Sequence, residues 1–62
     1  MTGSEVAAAA LRNDLVKWKG AEYICVGYKR IIDKRKGIIN SAVLKDKRGI
    51  LYEVLIREVE VI

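Results

Sequence analysis

Eight cationic side chains fall in two short stretches of this chain, and the chemistry they suit is the neutralisation of phosphate. Lys29, Arg30, Lys34, Arg35 and Lys36 stand against a single acid, Asp33, and Lys45, Lys47 and Arg48 stand against Asp46. Lysine and arginine at this density bind a nucleic-acid backbone by releasing its counterions, whatever the base sequence. Tyr23 has outward strand parity and is the one aromatic placed to stack on an unpaired base beside them. These nine residues are the expected nucleic-acid contact set. The same charges have a plainer use. In exposed turns they keep an apolar chain dissolved and discourage strand edges from pairing with other chains. Consecutive turns of a meander also lie at opposite ends of the sheet, so a single continuous basic patch requires the sheet to curve.

Catalytic chemistry is poorly provided for. There is no histidine to move protons near neutral pH. Ser4 and Ser41 have no neighbouring base in the sequence. Cys25 is the only cysteine. It sits between Ile24 and Val26, where a thiol is usually an inert packing group, and strict alternation puts it on the less buried strand face. A lone cysteine without histidine can build neither a disulfide nor a zinc site. Gly37 and Gly49 each close a charged turn and form no phosphate-binding glycine loop. The expectation is a non-enzymatic protein with no cofactor and no metal.

The bulk properties narrow the class further. The chain has 62 residues, a net charge of +4 and 52% hydrophobic residues. A domain this short buries only about 60% of its unfolded surface. With no disulfide or metal, it must rely on dense apolar packing or on a partner chain. The apolar stretch Val6 to Leu11 is far short of the roughly 20 residues that cross a bilayer and has no basic region before it. These features suggest one domain over residues 1–62, without membrane association, in a reducing, cytoplasmic setting.

The elements that position the charges can be read from spacing. Thr2 and Glu5 have the separation of a capping box, and the run Ala7 to Ala10 has high helix propensity, which predicts a helix over residues 2–13. A helix this short needs something to dock against. Leu15 to Lys19 alternates as a short strand ending at Gly20. Tyr23 to Ile32, Ile38 to Leu44 and Ile50 to Ile56 are runs of β-formers separated by the two charged turns, which is the pattern of an antiparallel meander. In the first run, Ile24, Val26 and Tyr28 share the presumed core face, and Gly27 marks a bulge or bend. In the last run, Ile50, Tyr52, Val54 and Ile56 face inward. The apolar parity then shifts to Val59 and Val61, which calls for a 3₁₀ turn near Arg57-Glu58. Trp18 is expected in the core.

A short strand, a long bent strand, two further strands, a 3₁₀ turn and a very short last strand form an order that resembles SH3-like small β-barrels, the architecture of SH3, Tudor and KOW modules. The build is also similar to that of small phage- or mobile-element-encoded proteins. The string Leu15-Val16-Lys17-Trp18-Lys19-Gly20 resembles a chromodomain strand, but a meander follows it and no aromatic cage is apparent, so membership is rejected. The fold expected is mainly β, a short N-terminal helix followed by a five-stranded antiparallel barrel of SH3 type. The alternative is an α+β arrangement with the helix on a three-stranded meander. The resemblance implies a binding module. Its partner is expected to be nucleic acid, bound non-specifically. The competing expectation is a protein partner or homo-oligomer held through a second apolar sheet face of Ile39, Val43, Leu51 and Leu55, unless the helix covers that face.

Overall fold

A computed structural model describes residues 1–62. The helix, α1 (Gly3–Arg12), starts where the capping box predicts: the Thr2 hydroxyl accepts from the Glu5 amide at 3.2 Å, and the Glu5 carboxylate accepts from the Thr2 amide at 2.9 Å. It stops at Asn13 in the left-handed conformation, a geometry asparagine tolerates well. Five strands follow: β1 (Leu15–Trp18), β2 (Ala21–Asp33), β3 (Gly37–Lys45), β4 (Leu51–Leu55) and β5 (Val59–Val61), with a 3₁₀ turn, Ile56–Glu58, before the last. That turn sits at the predicted break in parity.

All the strands join one antiparallel sheet in the order β4-β3-β2-β1-β5. The sheet is open: β4 and β5 are its two ends and do not pair with each other. The three-stranded alternative is therefore excluded, and the mainly β, helix-first architecture holds. β1 and β2 are joined by Lys19-Gly20, both at positive φ (50° and 77°), the conformation of a two-residue hairpin.

The core lies on one face of the sheet, under α1. Val6 and Ala9 of the helix pack with Val16, Cys25, Ala42, Leu44, Val54 and Val59, all buried. This corrects the expected phase of β2. Cys25 is fully buried in the core, whereas Ile24 and Val26 are only half-buried. The cause is the bulge foreseen at Gly27: pairing runs Cys25↔Leu44 and then Gly27↔Val43, leaving Val26 without a partner. The extra residue inverts alternation, so 23 and 25 before it share the inner face with 28 after it. Ile50 is a second correction. It is 45% exposed and lies outside β4, because the turn before it is longer than the apolar pattern suggests.

The strands have unequal lengths, and this shapes the molecule. β1 pairs with β2 only over residues 21–24, and β4 pairs with β3 only over residues 41–45. From Arg30 to Asn40, β2 and β3 pair with nothing but each other. They form a two-stranded arm, and the whole molecule measures 35 × 20 × 19 Å.

Candidate nucleic-acid interface

The arm carries most of the predicted basic set. Its turn is built by Asp33, whose carboxylate accepts from the amides of Arg35 at 2.7 Å and Lys36 at 3.0 Å. Those two bonds hold the Asp33 carboxyl below its ordinary value. Gly37 closes the turn at φ 80°, which a side chain would strain. The acid within the basic cluster stays ionised but is turned onto the backbone and forms no ion pair, and Lys34, Arg35 and Lys36 project exposed from the tip, also without one. Arg30 is likewise exposed and unpaired. Lys29 differs: its ammonium lies 3.4 Å from the Glu53 carboxylate of β4, a solvent-exposed pair. Such pairs contribute about 0–1 kcal/mol.

The second cluster sits elsewhere. Lys45, Lys47 and Arg48 occupy the β3–β4 turn, at the far end of β3. The steps along the nine residues of β3, from Gly37 to Lys45, at about 3.4 Å each put the two tips roughly 27 Å apart. The eight cations therefore form two poles and not one patch. Asp46 organises the second turn. One carboxylate oxygen accepts from the Arg48 and Ile50 amides, each at 2.9 Å, and the other accepts from the Tyr52 hydroxyl at 3.1 Å. Burial pushes the Asp46 carboxyl up, but these hydrogen bonds outweigh it and the net shift is downward. The same contact, together with burial, raises the Tyr52 hydroxyl above its usual value. Arg48 is partly neutralised by Asp46 at 3.7 Å.

Tyr23 is not the outward stacking platform that parity suggested. The inverted phase of β2 turns it inward, where it packs against the core in a triangle with Trp18 and Tyr52. The ring centroids are 5.5, 5.8 and 5.6 Å apart, two of the three contacts edge-on. At such spacing the three rings are in contact with one another. The sequence reading missed this cluster, which unites strands β1, β2 and β4. Its signal was the shared parity of Trp18, Tyr23 and Tyr52 once the bulge is counted. The Lys19 ammonium lies over the Trp18 ring, 4.8 Å from its centroid.

The proposed second apolar face has a definite position. Ile39, Val43, Leu51 and Leu55 share the outer side of the β2–β3–β4 layer, by the registers Ser41↔Leu55, Val43↔Glu53 and Lys45↔Leu51. The helix does not cover it, since α1 lies on the inner side. The Lys29–Glu53 pair crosses this face, Ile39, Val43 and Leu55 are half-buried, and only Leu51 is largely exposed, at 60%.

Cys25 sits against the helix, its thiol 3.7 Å from the Val6 carbonyl, and burial pushes its pKa up. No group of acids, cysteines and histidines is arranged to hold a metal, and no helix is long and apolar enough to cross a membrane. Compared with protein-family models, curated proteins and solved structures, the chain shows no match.

Proposed function

We propose that this protein is a non-enzymatic binding module that grips the phosphate backbone of nucleic acid with its β2–β3 arm. One observation carries the reading: Arg30, Lys34, Arg35 and Lys36 are exposed on an arm that projects from the sheet, and the only acid among them, Asp33, is tied into the turn by two backbone amides. Four cations without an ion pair on one projection, a net charge of +3 with the ionised Asp33 counted, suit a polyanion better than they suit solubility alone, which dispersed charges would serve. The Lys45, Lys47 and Arg48 pole is a weaker contact, since Asp46 offsets part of it and its distance puts it on a different stretch of backbone.

The scaffold is read as an open relative of the SH3-like barrel. The strand order, the bulge in the long second strand and the 3₁₀ turn before the last strand all support that reading. The location proposed is the cytoplasm, consistent with a single buried thiol.

Binding by four cations gives a slope of log K against log salt of about −3 to −4 on duplex. Fluorescence anisotropy of labelled oligonucleotides tests it. Lys34, Arg35 and Lys36 changed together to Glu are expected to abolish binding at low salt, while Lys47→Glu weakens it only a few-fold. Undiminished binding by the triple variant overturns the proposal.

A further inference from the structure

We infer that the inner face of the arm, Arg30, Ile32, Ile38 and Asn40, lies against base edges in the major groove of duplex DNA, with Ile32 and Ile38 in contact with thymine methyl groups. The inference rests on the backbone-binding reading above and adds which nucleic acid the arm takes and how. Beyond Tyr28 the inner face of β2 and β3 meets the helix only at its amino end, where Thr2, Gly3, Ser4 and Ala7 line an open niche together with Arg30, Ile38 and Asn40, and Ile32 lies outside that niche. The rungs Arg30↔Asn40 and Ile32↔Ile38 are directly opposed pairs, so these four side chains leave the ribbon on one side. Ile32 is 78% exposed and Ile38 52%. Two large aliphatic side chains presented together next to unpaired cations are poorly explained by folding, because they bury little, or by solubility, which they oppose.

Charge selects this face over its reverse. The outer face of the arm carries Ile31 and Ile39, but its cation, Lys29, is engaged by Glu53, and that carboxylate would meet the phosphates. The inner face leads to a niche of about 470 Å³ at the amino end of α1, and no carboxylate lines it; Arg30 is its only charged group. Asn40 is held in place there, its side-chain oxygen accepting from the Tyr28 hydroxyl at 2.7 Å. Its amide nitrogen is left to donate.

Dimensions select the groove. Paired strands are about 4.8 Å apart, so a two-stranded ribbon with its flanking side chains fits the roughly 12 Å major groove of B-form DNA but not the minor groove of about 6 Å. The major groove of A-form RNA is too narrow and deep for it. Within the DNA groove the apolar feature on offer is the thymine 5-methyl, and the acceptors on purine edges suit Arg30. The tip, Lys34 to Lys36, then meets phosphates along the groove wall.

The test compares two A·T-rich duplexes of one sequence, one containing thymine and one uracil, by anisotropy at fixed salt. Wild-type protein is expected to bind the thymine duplex more tightly, by about fourfold for each methyl group buried. Ile32→Ser with Ile38→Ser is expected to equalise the two affinities and leave the salt slope unchanged. Both side chains are exposed, and circular dichroism checks that the variant is folded. Equal wild-type affinity for the two duplexes overturns the groove assignment and leaves the backbone reading standing. A thymine preference that survives in the double variant also overturns it. No binding to either duplex removes both proposals.

Discussion

At the scale of single residues, the acids say more about this protein than the cations do. Asp33 and Asp46 sit inside basic turns and were read there only as partial charge compensation. Each folds its carboxylate back onto backbone amides and shapes the turn that presents the lysines and arginines. Asp33, Asp46 and Glu5 all have carboxyls held below their ordinary values: Asp33 by the amides of Arg35 and Lys36, Glu5 by the Thr2 amide and hydroxyl, and Asp46 by its three donors against the opposing effect of burial. A carboxyl whose folded pKa is depressed contributes stability that is fully present above its unfolded value, about 3.9 for Asp and 4.3 for Glu. That contribution disappears as pH falls through the folded value. Thermal midpoints are therefore expected to be level from pH 5 to 7 and to drop below about pH 4. Asp46→Asn is expected to lower the midpoint at pH 7, since the amide keeps an acceptor but loses the charge that strengthens three hydrogen bonds. It should also shrink the acid-induced drop. Melts monitored by circular dichroism at pH 3 and pH 7 decide the matter; an unchanged acid limb in the variant removes Asp46 from this account.

At the scale of elements, the arm depends on its turn. Gly37 occupies a positive φ that an L-side chain adopts at a cost of about 1–2 kcal/mol, and nothing crowds the position. Gly37→Ala is thus a backbone perturbation and not a clash. It is expected to cost about that much in urea unfolding, and, because β2 and β3 pair only with each other beyond Arg30, to loosen the arm more than the core. Amide exchange should quicken at residues 30–40 and stay slow at Cys25 and Leu44; uniform quickening would show that the arm is not separable. The start of the helix, the β2–β3 turn and the 3₁₀ break were legible because each rests on local chemistry: Thr2 with Glu5, Gly after a charged run, a change of parity between Ile56 and Val59. The phase of β2 was not. The sequence pointed to a bulge at Gly27, but parity carried straight through it reverses every assignment on one side, which placed Cys25 and Tyr23 outside and Ile24 and Val26 inside. The arm was hidden for another reason. It exists because β1 and β4 are shorter than the strands they flank, and mismatched strand lengths are a property of the assembled sheet.

At the scale of the whole molecule, the competing idea of self-association through Ile39, Val43, Leu51 and Leu55 comes down to area. A stable interface takes about 800 Å² from each partner, roughly a sixth of the 4553 Å² this chain exposes. Of the apolar side chains on the outer face, Ile24, Ile39, Val43 and Leu55 are already half-buried, Leu15, Ile31 and Leu51 are exposed, and the Lys29–Glu53 pair lies across the face. A partner settling there would have to desolvate that pair, and removing charges from water offsets much of what apolar burial gains. The helix meanwhile satisfies the stronger apolar surface, closing over Cys25, Ala42 and Leu44 on the opposite side. The expected result of a sizing column run at high concentration is a mass of one chain, in both low and high salt, with Leu55→Lys eluting at the same volume. A salt-resistant dimer that Leu55→Lys dissociates would reassign the outer face as an interface. The arm would then be left free in the dimer, and its binding to oligonucleotides would be tested on two copies at once.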